Sequence, residues 1–562
     1  RQMCIRDSSS STGYQYYAQR YSMTDDFPFA EINVFQLGLY AQDKWTVSDK
    51  LNLTLGLRID VPFFMTDLQS NDKVAAETYR DGIKIDVSKY PNAKPQFSPR
   101  FGFNYKPFDD ENGSLQIRGG TGLFTGTPPY VWISNQAGNN GVLFGDLNVR
   151  AVKDKNDNII SDGRPSLGFT GNMDTYKPAE GSATRSDIAI TDPDFKYPSL
   201  WKSNIAADYK FGDGWVATVE LLYSKDINAI YHDNIGLYRT EQFVNDGGAG
   251  NARPYYNGYY SDREGNQKAA NHVVMLRNTS KGHSLYTTFQ LQKNFVDGIL
   301  KGLYLNGSYS FGQSRGVTDG TSSVATSAWK YRAALDGNAE EVGYTAGSFD
   351  GRLLLSASYT ANWSKYAATS FGLIYQRYRP FRYSYCYNGD ANGDSQFSND
   401  LMYIPANFDE VKDHLLPGDF DSQEDAWKAM NAFIEQDPYL SKHRGEYAER
   451  NGAVAPFANQ LDLSVSHDIK IYQKNGRSHT LRFSFNIANF LNLLNRNWGV
   501  VQTTVLGNQQ YQFLTIPKGQ GPSAANNYTL KYTMAKDLDE TFKDNLNDVS
   551  RWQMQFGIKY IF

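Results

Sequence analysis

The segment Asp390-Ala-Asn-Gly-Asp-Ser-Gln-Phe-Ser-Asn-Asp400 presents hard oxygen donors at alternate positions. Asp390, Asn392, Asp394 and the Gln396 carbonyl fall at positions 1, 3, 5 and 7 of a calcium loop, which gathers oxygens around a hard cation. Position 6 is Ser395 where such loops carry glycine, and position 12 is Leu401 where they carry glutamate. Asp400, one residue earlier, is therefore expected to close the shell. Carboxylates held this close repel by about 1 kcal/mol per pair in water and by more where partly buried, so a cation would hold the loop together. The alternative is an Asx-rich solvated turn. The expectation is a structural calcium on Asp390, Asn392, Asp394, Gln396 and Asp400, with no other cofactor required.

Other candidate chemistry is weaker. Gly312-Gln-Ser-Arg-Gly316 matches the pattern of a nucleophile elbow, which needs a strand–turn–helix context and a later acid and histidine. Here it falls where a strand runs into a loop, so no catalytic role is expected and the chain does not read as an enzyme. Seven histidines are scattered, with no His-Glu-x-x-His or Cys-x-x-Cys pair to hold zinc. Cys4 and Cys386 cannot make a disulfide framework. A net charge of −4, from 56 basic and 60 acidic residues, argues against a nucleic-acid partner.

The elements that must position these residues are strands. Aromatics make up 14% of the chain and glycine is abundant, a composition suited to strands and turns. In Leu51-Asn-Leu-Thr-Leu-Gly-Leu-Arg-Ile59 the leucines and Ile59 share one face, while Asn52, Thr54, Gly56 and Arg58 share the other. The same alternation runs through Trp215–Tyr223, Leu353–Tyr359, Leu481–Ile487 and Trp552–Phe562. No apolar run approaches the ~18 residues of a membrane helix. Short connections near 47–51, 106–114, 211–215, 293–302, 362–366 and 472–480 alternate with long ones near 63–96, 125–200, 231–272, 313–349, 381–457 and 492–550.

Such asymmetry is the mark of an antiparallel transmembrane β-barrel, with short periplasmic turns and long extracellular loops. The pattern predicts about 13 strands. Trp45, Phe108, Phe211, Trp215, Trp363, Tyr366 and Tyr472 flank short turns as one interfacial girdle would. Tyr375, Tyr378, Phe381 and Tyr383 are expected to form part of the opposite girdle. Asn52, Arg58, Gln116, Arg118 and Arg482 would line the lumen. Ile558, Tyr560 and Phe562 close a period-two strand of the kind that barrel-assembly machinery recognises. Within the loops, Ser422, Asp425 and an apolar stripe through Ile434 predict a helix near 422–435, ended by Pro438. The Tyr-rich stretch Tyr255–Tyr260 could grip a sugar or peptide or could pack the loop.

Three stretches carry a family resemblance. Phe97-Ser-Pro-Arg-Phe-Gly-Phe-Asn-Tyr105, Arg118–Gly126 with Pro128–Asn135, and Ser484-Phe-Asn-Ile-Ala-Asn-Phe-Leu-Asn492 resemble TonB-dependent outer-membrane receptors of Gram-negative bacteria, nearest to the Oar-like group. The resemblance covers roughly 30–562. It implies energised uptake of an extracellular ligand across the outer membrane, coupled to the TonB system. Family members carry a signal peptide, a TonB-contacting segment and a plug before a barrel of about 22 strands. None of these precedes residue 31 here, so residues 31–562 are expected to be the C-terminal portion of such a barrel, and 1–30 an uncertain segment. The TonB contact would then lie in the missing N-terminal part, and the first strand, near 35–47, would have a bare edge. A second class is an adhesion or structural barrel that binds partners through its loops.

Overall fold

The computed structural model describes residues 3–4, 16–23, 29–150, 152–153, 159–160, 186–248, 252–472, 478–506, 510–523 and 528–562. The Ser8–Ser11 run and most of the last short turn lie outside the described residues. Within the segment before residue 31, Tyr16–Ser22 pairs antiparallel with Phe144–Arg150.

Thirteen strands pair in sequence order in one antiparallel sheet. They are β1 (Val34–Ser48), β2 (Leu51–Phe64), β3 (Gln96–Asp110), β4 (Gly113–Thr125), β5 (Ser199–Phe211), β6 (Trp215–Asp226) and β7 (Gly282–Asn294). The rest are β8 (Leu303–Gly316), β9 (Arg352–Ser364), β10 (Ala367–Tyr378), β11 (Ala458–Tyr472), β12 (Ser478–Ala488) and β13 (Gln553–Ile561). Short turns link β1 to β2, β3 to β4 and β5 to β6, and the long connections leave from the other end. Between β5 and β6 the chain reverses through Gly212 and Gly214, at φ 50° and 85°, so that Phe211 pairs with Trp215. Glycine takes these angles without the strain a Cβ would bring.

Register puts like with like. Leu39, Ile59 and Phe97 align across β1, β2 and β3, and Leu57 sits between Ala41 and Pro99. This face is left uncovered: Leu55 is 51% and Leu57 44% exposed. The row continues to β13, where Met554, Phe556, Ile558 and Tyr560 are also exposed. The opposite face is polar and tied across strands. Along β2 Arg58 pairs with Asp60 at 2.7 Å; across strands Arg118 pairs with Asp208 at 2.8 Å, and Arg482 grips Asp468 through two bonds of 2.6 and 2.7 Å. Thr46 donates to Asn52, Gln290 to Asn306, and Gln116 stands opposite Asp208. A soluble sheet would bury the apolar face and expose the polar one. This sheet does the reverse, as a lipid-facing barrel wall must.

Among the described residues β1 pairs only with β2 and β13 only with β12, so the expected bare edge at β1 is found. Thirteen alternating strands leave β1 and β13 running the same way.

The hydrophobic core lies in the long connections. Tyr383, Tyr385, Met430, Phe433, Ile434, Tyr511, Phe513, Leu530 and Tyr532 form one buried cluster. Val74, Tyr79, Ile188, Val273 and Met275 anchor a second, built on a three-stranded sheet of Ser186–Thr191, Ala270–Thr279 and Ala229–Asn234. The predicted helix is present as Gln423–Gln436, with the Ser422 hydroxyl capping the Asp425 amide and Ala426, Met430, Phe433 and Ile434 buried. Tyr255 and Tyr256 are buried too, which places them in loop packing.

The turn-side girdle is seen in Trp45, Phe108, Trp363 and Tyr366, all exposed, and in Phe211 stacked on Trp215. The opposite girdle differs from expectation. Tyr383 is buried and Phe381 packs against the loop core, because the chain has already left the sheet at Tyr378. At that end Phe35, Phe63, Phe97 and Trp201 are among the exposed aromatics.

Two outcomes are expected. Leu57→Arg, near the middle of the apolar face, should cost about 2–4 kcal/mol on folding into phospholipid vesicles, while Gln42→Glu on the polar face should change little. In the loop sheet, His232 packs edge-on to Trp132 at 5.7 Å, and burial, reinforced by the Arg332 charge, holds its pKa down to about 4. Its neutral form is the one that fits, so this stability is complete above the ordinary value of 6.5 and is lost as pH falls through about 4. The loss should reach about 3 kcal/mol. An acid titration of tryptophan fluorescence, with Trp132→Phe as blank, should show the transition, and His232→Gln should flatten it.

Candidate metal-binding loop and loop cavity

The acidic loop lies in the long connection between β10 and β11. Its base is closed by an antiparallel bridge of Cys386 to Leu401, and its outer side is held by Tyr256, whose amide donates to the Asn392 carbonyl at 2.8 Å. Ala334 pairs with Asp400 from a third connection. These contacts bury the loop: Asp394 is 0%, Asn392 1% and Asp400 1% exposed.

Within the loop, side-chain oxygens take up backbone amides. Asp390 Oδ1 accepts from Asn392 N and Gly393 N at 3.2 and 2.6 Å, and its Oδ2 accepts from Ser395 N at 2.8 Å. Asn392 Oδ1 accepts from Asp394 N at 2.9 Å, and Asp394 Oδ1 from Gln396 N at 2.8 Å. Ser395 adopts φ 66°, the left-handed conformation for which calcium loops use glycine at this position. Asp394 Oδ2 is buried without a partner.

Asp400 differs from the other four predicted ligands in having a cationic partner. Its Oδ2 accepts from Ala391 N at 2.8 Å, and its Oδ1 takes the Arg253 guanidinium at 3.2 Å. The expectation that Asp400 closes the shell does not match this placement, because Arg253 engages the carboxylate first. Arg253 is fully buried and also donates from Nε to Asp246 at 3.0 Å, between the rings of Tyr387 and Tyr447. Among the described residues no three His, Cys, Asp or Glu side chains gather as metal ligands. Burial, then the Asp400 and Asp390 charges, push the Asp394 carboxyl well above the usual carboxylate range. Burial raises Asp400 to about 7 against the pull of Arg253.

Sequence reasoning missed Arg253 and Asp246. They lie in another connection, more than a hundred residues away, and no local spacing links them to the loop. It also missed a cavity of about 500 Å³ beside it, lined by Thr318, Thr321, Ser384, Asn451, Arg332 and Arg450. Both arginines are buried and held by carbonyls: Arg332 donates to Val317, Gly337 and Ala339, and Arg450 to Val317, Gly316 and Gly343. Burial pulls Arg450 down to about 10.

The remaining predicted residues have simpler settings. Ile558, Tyr560 and Phe562 are exposed on the apolar side of β13, with Tyr560 hydroxyl and His479 Nδ1 2.6 Å apart. Gly312–Gly316 lies inside β8, paired to β7 through Gly316, so the elbow context is absent there.

No curated protein matches the chain. Among solved structures it is similar to the copper transporter OprC, at 9% identity and TM-score 0.38, covering 85% of this chain and 48% of that one. It is similar to the siderophore receptor PirA from Acinetobacter baumannii, at 8% identity and TM-score 0.39, covering 85% and 47%. The outer membrane transporter YddB from Escherichia coli gives 8% identity and TM-score 0.36, covering 97% and 55%. The chain thus spans about half the length of these structures. Residues 12–524 match the family model for the outer membrane beta barrel domain, and the chain belongs to that family.

Proposed function

We propose that this outer-membrane barrel takes part in energised uptake of an extracellular ligand, in the manner of a TonB-dependent receptor. The observation that carries the reading is the division of labour across the sheet. One face is apolar and uncovered, and the other is bridged by ion pairs such as Arg118 to Asp208 and Arg482 to Asp468. Among the described residues, the buried clusters outside the sheet sit in the long connections of one end, where a ligand would arrive. A polar wall facing a lumen suits passage of a polar solute or contact with a plug.

Coupling to the TonB system would run through receptor parts other than the barrel wall. The apolar row of β13, ending in Ile558, Tyr560 and Phe562, supports recognition by barrel-assembly machinery. No residue is given a catalytic role, since the one elbow-like motif is part of a sheet ladder. The second reading, an adhesion or structural barrel, is favoured by the size of the loop core alone.

Uptake separates the two. Cells lacking the gene should lose accumulation of one member of a labelled panel of ferric siderophores, vitamins, oligosaccharides and peptides, and a protonophore should abolish the same accumulation in the parent. Unchanged uptake of the whole panel, together with lost adherence to host or abiotic surfaces, would support the adhesion reading instead.

A further inference from the structure

We infer that the loop from Asp390 to Gln396 binds a divalent cation of calcium's size through Asp390, Asn392, Asp394 and the Gln396 carbonyl, with water completing the shell.

Asp246 and Asp400 flank Arg253, and that buried trio carries one positive and two negative groups. Asp390 and Asp394 then remain, with no cationic side chain within ion-pair distance of either among the described residues. Two carboxylates match one divalent ion.

The second observation concerns Asp394 itself. Its side chain is wholly buried; Oδ1 is engaged by the Gln396 amide, and Oδ2 has no partner. Buried polar atoms are almost always satisfied, so an idle carboxylate oxygen marks a place where a ligand belongs. The Gln396 carbonyl likewise accepts no hydrogen bond from any described residue. In a calcium loop the position-5 and position-7 groups supply oxygens of these two kinds.

Backbone shape agrees with both. The Asp390 carboxylate draws in the amides of Asn392, Gly393 and Ser395, and Ser395 turns the chain at φ 66°. Calcium accepts irregular, water-completed oxygen shells, whereas magnesium demands a near-ideal octahedron and gives up its waters reluctantly. Four protein oxygens from one short loop favour calcium.

A proton on Asp394 is the competing way to neutralise this site, and one variant separates the two. Asp394→Asn keeps the shape and mimics the protonated acid. Limited proteolysis of the full chain in detergent should be compared in about 1 mM calcium, in the same magnesium, and in chelator. With a Kd near 0.1 mM, calcium should slow cleavage within 381–405 roughly tenfold in the parent. Magnesium should do much less. Asp394→Asn in chelator should resist cleavage at least as well as the parent and should gain nothing from calcium. Ser395→Gly should respond at lower calcium than the parent. Equal cleavage of the parent in calcium and chelator, or a full calcium response in Asp394→Asn, would overturn the inference. Either result would leave the uptake reading untouched, because the assay involves no transport.

Discussion

Inside a bilayer a backbone amide has no water to bond, so every N–H and C=O of a spanning segment must find its partner on a neighbouring strand. That requirement governs the rest of this structure. It makes the twelve ladders continuous from β1 to β13 and keeps the turns at one end short. With the backbone committed to its neighbours, side chains decide only which face they occupy. Leu39, Ile59 and Phe97 line up on one side because Arg58, Asp60 and Gln96 must line up on the other. The constraint relaxes where the chain leaves the membrane, and there it folds in another style.

Beyond the strands, the connections behave as a soluble domain would. Tyrosines, Met430, Phe433 and Leu530 pack into an apolar centre, and buried charges in and around it are paired: Tyr385 and Thr541 both donate to Asp437, and Arg253 spans Asp246 and Asp400. Burying a charge is expensive unless it is paired, and these pairings show where that cost has been met. At Asp394, whose buried Oδ2 has no partner, protein groups have not fully met it.

Much of the sheet was legible because period-two alternation and loop length are local signals. Leu51 to Ile59 declared its two faces, and Ser422 with Asp425 declared a helix start that the structure reproduces. What stayed hidden depends on distant partners. Tyr383 sits in an alternating apolar stretch that reads alike whether it meets lipid or a folded loop, and Phe542 and Tyr511, which surround it, are far along the chain. Asp400 looked like a ligand by spacing, yet Arg253 reaches it from another connection. The turn from Asp390 to Gln396 was readable as an Asx-rich loop because its shape is made by its own side chains and amides.

The way the two parts are wired sets an order of events. Each sheet partner is the next strand in sequence, and several are joined by turns of a few residues, so the wall can zip up by short-range closures. The loop core cannot. Asn245 bridges to Thr529, Leu415 to Tyr532 and Asn388 to Thr515, contacts that span from one hundred to nearly three hundred residues. Loops from early and late strands can meet only after those strands have taken their places, which makes the outer mass the last part of the molecule to solidify. A newly inserted wall would thus carry unlocked loops for a time, and surface proteases would meet the protein at its most vulnerable in that interval.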